Sequence, residues 1–396
     1  MDYSKPTHKM HTLLTRHIPM ALLWLLLSTV VFPTGIDVSL IALLFTLSAY
    51  PAWTGGFKDL WQRSRWLWLP LLIFIGIGVF LSVMPAKSGK GAYDILRCLL
   101  LFYFIAPFLQ KVSDQELLRA LNYFLIPAAL LYFSVVLWLQ LHEGTLFIRH
   151  SELATRLFDS YHHFVSSVAL ASLLFLCLCI NTRPGWPYAI LIGTLLFYCI
   201  FFSNSRGNSL ALALVALFLF TYQWRSCKQA LTLSLLGFGV VLSSYLYVFY
   251  WMPCPETNCN VTVFNRQHIY HETLRLIHER PWTGYGFSVF KLISGVLEGG
   301  NKVVMPHNLL LEALYSTGLL GTLALAATLV PWFRQSGWTA KRLWSASTLP
   351  VQTQIGLALL IYLAVRGLFD LKLVDAPAFG LLAIAMAFMY ARSPTH

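Results

Sequence analysis

Two arginines and one histidine occupy positions where a fixed charge and an exchangeable proton could do chemistry. They are Arg206 in "FFSNSRGNSLALAL", Arg266 in "VFNRQHIYHETLRLIHERPWTGYGF" and His307 in "MPHNLLLEALYSTGLLG". Arg206 is pinched between two apolar stretches, where a guanidinium costs free energy unless it meets protein, water or an anion. Its other reading is snorkelling, with the side chain reaching the headgroup layer. Ser203, Asn204, Ser205, Asn208 and Ser209 surround it with hydrogen-bonding groups, which favours a functional site. Arg266 starts an expected amphipathic helix over 265–279, in which Tyr270, Leu274 and Ile277 recur at helical spacing. That helix also carries Arg275, Arg280 and three histidines, and for those two arginines a solvated basic face is the simpler reading. Pro281, Gly284 and Gly286 end it. His307 follows Pro306, a residue suited to beginning a helix, so the imidazole is expected in the first turn of the next apolar helix. A lone histidine there is commonly a cap or an interfacial residue. Beside two cations it becomes a candidate base, because imidazole exchanges protons near neutrality.

The elements that must hold these groups are membrane helices. The 396 residues are 57% apolar and 11% charged, with a mean hydropathy of +0.65, whereas soluble domains carry about 25% charged residues. Apolar runs of spanning length, with backbone groups that lipid cannot satisfy, predict an all-α polytopic protein. Spans are expected near 18–34, 36–52, 66–84, 92–110, 121–141, 164–180, 187–204, 207–223, 230–252, 307–331, 351–369 and 373–391. About twelve helices in a single membrane domain, 1–396, put both termini on one side. The face shared with the N-terminus then holds 15 basic and 4 acidic residues, the other face 13 and 12. By the positive-inside rule the termini are cytoplasmic, and 253–306 is a large outward loop between spans nine and ten. The net charge of +12 is thereby topological, and nucleic acid is not an expected partner. No small-residue cleavage site follows "KPTHKMHTLLTRH", so no removable signal peptide is expected.

Several chemistries lack their residues. There is no GxxxxGK[ST] loop for nucleotide phosphates, no HExxH, and no GxSxG elbow. His162 and His163 have no partners at metal-ligand spacing, so no metal is expected. Cys98, Cys177, Cys179 and Cys199 fall within spans and read as small packing residues. Cys254 and Cys259, in "PCPETNC", lie in the outward loop, where they either form a disulfide or remain two free thiols. Arg366, Asp370, Lys372 and Asp375 read as a mutually neutralising surface cluster.

"HNLLLEALYSTGLLG" resembles the signature of the O-antigen ligase and polymerase superfamily: His, Asn, nine residues, then Gly-x-x-Gly, here His307, Asn308, Gly318 and Gly321. "SNSRGNSLAL" resembles that family's Ser-Arg-Gly helix start. "NRQHIYHETLRLIHERPWTGYGF" resembles its periplasmic helix ending in Pro-x-x-Gly-x-Gly, although Tyr270 stands in a slot often apolar or tryptophan. The resemblance covers the C-terminal half; the N-terminal half matches only as a hydrophobic array. It implies a GT-C-like glycosyltransferase of the bacterial inner membrane with its active site facing the periplasm. The donor would be O-antigen polysaccharide on undecaprenyl pyrophosphate and the acceptor a lipid A-core sugar, with membrane lipids around the chain and no cofactor. Arg206 and Arg266 would hold the pyrophosphate, and His307 would be the base or a positioning residue, with inversion expected. An O-antigen polymerase or a protein O-oligosaccharyltransferase shares the same motifs. A lipid-linked glycan transporter would use the arginines for binding alone. Because one outward loop dominates and the sequence stops after its last span, ligation is the preferred reading.

Overall fold

The structure, a computed structural model, describes residues 20–31, 61–62, 65, 68–143, 161–182, 185–203, 205–223, 259–295, 297–298, 301–303, 305–335, 349–369 and 376–391. In chain order the helices are α1 (Met20–Val31) and α2 (Trp68–Phe80). They continue with α3 (Pro85–Lys111), α4 (Asp114–Glu143), α5 (Tyr161–Thr182), α6 (Trp186–Ser203), α7 (Arg206–Gln223) and α8 (Cys259–Glu279). The last four are α9 (Phe290–Ile293), α10 (Leu309–Gln335), α11 (Val351–Phe369) and α12 (Ala376–Ala391). Among the described residues, five helices are long and apolar enough to cross a membrane: Pro85–Lys111, Asp114–His142, Phe164–Thr182, Leu309–Val330 and Val351–Leu368. Among the described residues, five shorter helices are also apolar. This is the helix content of a multi-pass membrane protein. The expected spans 36–52 and 230–252 lie outside the described residues, as do Asp370, Lys372, Asp375 and Cys254.

The strictly helical expectation misses one feature. Leu297–Glu298 (β1) and Asn301–Lys302 (β2) pair antiparallel, Leu297 opposite Lys302, as a small hairpin before α10. The span expected at 92–110 begins earlier, at Pro85, because proline in the first turn sacrifices no helical hydrogen bond. Arg97 is tolerated there beside Asp94, 3.5 Å away.

Helix α11 is the hub, packing against α4, α5, α7, α10 and α12. Its N-terminal turn is fastened by polar side chains where helix ends leave backbone groups without partners. Gln352 Nε2 donates to the Leu109 and Val112 carbonyls at the end of α3 (3.1 and 2.7 Å), and Asp114 Oδ2 accepts from the Val351 amide (3.2 Å). Gln354 and Asn181 exchange amide hydrogen bonds at 2.8 and 3.2 Å. The buried Gln354 amide is thereby satisfied at both ends, whereas Gln352 is satisfied through its donor alone. Cys177 and Cys199 are buried and Cys179 half-buried, all as free thiols. The side chains of Cys98 and Cys259 lie outside the described residues.

Candidate active site

His307 does not stand in the first helical turn. Helix α10 starts at Leu309, and Asn308 is its cap: Asn308 Oδ1 accepts from the Leu310 and Leu311 amides at 3.0 and 3.1 Å. Asparagine outcompetes proline as a helix starter here because its side chain satisfies two amides that the helix cannot. His307 is left just outside the helix with φ of +57°, a left-handed conformation that costs most residues about 1–2 kcal/mol. The strained backbone is that of a half-buried residue next to a buried Pro306. Asn308 Nδ2 also donates to the Leu368 carbonyl, 3.1 Å away, in the last turn of α11. Asn308→Ala is expected to lower stability by about 1–2 kcal/mol, and Asn308→Asp, which keeps the acceptor, by less. Thermal unfolding in detergent checks this, and a wild-type melt for the alanine variant would contradict the cap.

The glycine motifs serve each other. At Gly318 (φ 60°, ψ −166°) helix α10 breaks, and residues 281–286 enter the break. In an unbroken helix the Leu319 and Leu320 amides would bond the Tyr315 and Ser316 carbonyls. Instead Leu319 N donates to Pro281 O (2.7 Å) and Leu320 N to Trp282 O (3.3 Å), while Tyr285 N and Gly286 N donate to Tyr315 O and Ser316 O (2.9 and 2.8 Å). Two helical hydrogen bonds are exchanged for four, so no backbone group is stranded in an apolar surround. A Cβ on Gly318 would overlap the Trp282–Thr283 backbone, and one on Gly284 would sit 2.5 Å from Tyr315 O. The opposite edge of the inserted strand is held by the α2–α3 connection. Val83 N and Ser82 Oγ donate to Tyr285 O (3.0 and 3.1 Å), and Ser88 Oγ to Phe287 O (3.1 Å). The N-terminal half therefore braces the C-terminal motif, a role its composition does not announce.

Helix α8 is longer than the expected 265–279, so Arg266 lies two turns inside it rather than at its start. Its buried stripe is Ile269, Thr273 and Leu276; Leu274, expected on the apolar face, is exposed. Arg266 falls on the same side as that stripe by spacing and is half-buried. The stripe packs with Tyr285, Val289, Phe290 and Tyr315, which joins α8 to α10. On the exposed side Arg275 binds Glu272 and Glu279, and Arg280 covers the Tyr285 ring at 5.1 Å. The Arg275 hydrogen bond holds the Glu272 carboxyl below the usual carboxylate range. Burial, then donation to Glu279, pushes the Tyr285 phenol up to about 12.

Arg206 is the first residue of α7, and its side chain lies outside the described residues. Its helix start is nonetheless anchored. Asn208, buried, donates to Ser205 Oγ (2.9 Å) and accepts from the Tyr362 hydroxyl of α11 (2.6 Å). One turn further along α11, Arg366 is only 4% exposed and donates to Ser166 Oγ of α5 at 3.1 Å. The surface cluster expected around Arg366 is thus corrected: packing of α5 and α7 against α11 encloses this guanidinium. The polar residues "SS" of α5 and the i, i+4 pair Tyr362 and Arg366 were the available signal for it. The start of α7, the end of α11 and the cap of α10 consequently meet at one end of the bundle. Arg266 is carried by α8, which packs on α10, and no described contact links its side chain to that end.

Among the described residues, no group of three or more His, Cys, Asp or Glu side chains converges as a metal site. A cavity of about 620 Å³ lined by Arg119, Asn122, Tyr123 and Tyr188 opens near the start of α4 and the end of α5, away from these groups. A comparison with curated proteins finds no match. Residues 190–326 match the family described as O-antigen ligase, a segment that includes Arg206, Arg266 and His307 but stops before α11. That segment is similar to the O-antigen ligase/polymerase superfamily and supports a relationship to it.

Proposed function

We propose that the protein is an O-antigen ligase, transferring polysaccharide from undecaprenyl pyrophosphate to a lipid A-core sugar at the periplasmic face of the inner membrane. Glycosyl transfer is the activity of the family at large; the donor, the acceptor and the inverting course belong to this proposal. The observation that carries it is the meeting of the Arg206 helix start and the His307–Asn308 cap on the last turns of α11, inside or against the family-matched segment. Arg206 and Arg266 bind the diphosphate through charge-assisted hydrogen bonds and stabilise the charge that grows on it as the glycosidic C–O bond breaks. His307 accepts the proton of the acceptor hydroxyl, whose oxygen forms the new bond to the anomeric carbon from the face opposite the leaving diphosphate. The apolar helices carry the polyprenyl chain.

The test is a reconstitution of purified protein with lipid-linked glycan and rough lipopolysaccharide, acceptor protein or no acceptor. Glycan on lipid A core supports ligation. Longer lipid-linked chains without acceptor would replace it with polymerisation, and glycosylated protein would replace it with protein glycosylation. Because the arginines do the work of a metal ion in this scheme, EDTA is expected to leave the initial rate within about twofold of the untreated enzyme. A rate abolished by EDTA and restored by a divalent cation would contradict it.

A further inference from the structure

Resting on that reading of the site, we propose that the last two turns of α11, residues 362–368, are the brace that sets the separation between the Arg206 helix start and His307, with Arg366 as its positioning charge. The family-matched segment stops before these residues, yet both halves of the site are fastened to them. On one side the Tyr362 hydroxyl reaches Asn208 at 2.6 Å, and Asn208 holds Ser205, the residue before Arg206. On the other, Asn308 donates to Leu368 O at 3.1 Å, and Gly367 lies so close to Leu309 that an added Cβ would come within 3.1 Å of it.

Arg366 holds the brace together. It is an i, i+4 neighbour of Tyr362, one turn further along the same face of α11. Arg366 itself donates to Ser166. One guanidinium therefore fixes α11 against α5 while Tyr362 carries the register on to α7. A cation in the last turn also suits the negative end of the helix dipole. Enclosing an arginine in a membrane helix is costly enough that such residues are functional candidates by default. Transfer between two bound substrates depends steeply on the spacing of the groups that hold them.

The experiment measures initial rates of transfer by the purified full chain with lipid-linked glycan and rough lipopolysaccharide, beside thermal unfolding and the yield of folded protein. Tyr362→Phe removes the tie to the Arg206 side, so donor KM is expected to rise about tenfold with the acceptor KM unchanged. Gly367→Val pushes on Leu309 and the His307 side, so kcat is expected to fall about a hundredfold at wild-type donor KM. Arg366→Lys keeps the charge without the guanidinium fork, and should raise donor KM less than Arg366→Ala. A purely structural role would lower only the folded yield and leave the folded fraction with wild-type kinetics in all four variants; that result overturns the brace. Arg206→Ala is run in parallel. If it loses donor binding while the α11 variants behave as wild type, the brace fails and the site stands, whereas a wild-type Arg206→Ala overturns the site on which the brace rests.

Discussion

His307→Gly is expected to fold at least as well as the wild type and to lose about 10²–10⁴-fold in transfer rate, the range that removal of a general base covers. Glycine is the informative replacement because residue 307 sits at φ +57°, where glycine has no Cβ penalty and histidine does. Activity and stability are thereby driven in opposite directions. The cap is untouched, since Asn308 supplies the bonds to Leu310 and Leu311. Alanine at the same position removes the imidazole without relieving the backbone, so its turnover should match the glycine variant while its melting temperature falls below it. Initial rates of glycan transfer to lipid A core, with thermal unfolding of the same preparations, decide the matter. Wild-type transfer by either variant would remove His307 from the mechanism. Arg206→Ala should cost on the order of 10²–10³-fold at normal expression, because the lost contacts are to a leaving group whose charge grows in the transition state.

Gly318→Ala should lower stability by about 3 kcal/mol or more. Three costs add. The φ 60°, ψ −166° conformation is one that essentially only glycine adopts, worth about 1–3 kcal/mol. The new methyl group would overlap the backbone of Trp282 and Thr283. Moving that strand away would break bonds among Leu319, Leu320, Pro281 and Trp282, each worth about 0.5–1.5 kcal/mol. Gly284→Ala meets the same interface from the opposite side and should behave alike. Gly89→Ala in α3 is the control: its methyl would meet nothing, and alanine favours the helix by about 0.5–1 kcal/mol. Melting temperatures in detergent and limited proteolysis between α8 and α10 provide the readouts. If Gly318→Ala melted with the wild type, the strand could not be seated in the helix break as observed. Activity should fall with stability, because this insertion joins the helix that carries Arg266 to the one that His307 precedes.

Legible along the chain were the chemistry-bearing residue types, the helical and membrane character, and the family resemblance on three short motifs. These are local properties. Apolar length selects a spanning helix, and His-Asn followed by two spaced glycines reads the same in any context. Long-range packing shows how those motifs are held. The histidine, expected in the first helical turn, stands outside it because Asn308 caps the helix with its own side chain; what the sequence does not contain is that side chain's second bond, to Leu368 on a distant helix. The residues of "RPWTGYG" do follow the end of α8 at Glu279, and Gly284 must in addition be small because Tyr315 passes over it, a contact between residues 31 positions apart that no periodicity encodes. Arg366 was read as a surface charge from its acidic neighbours in sequence and proved enclosed, because burial depends on which helices pack around α11 rather than on the residues beside it in the chain. Composition and spacing report what a segment can be, whereas the separation of charge and base is set by long-range packing that single-chain periodicity does not contain.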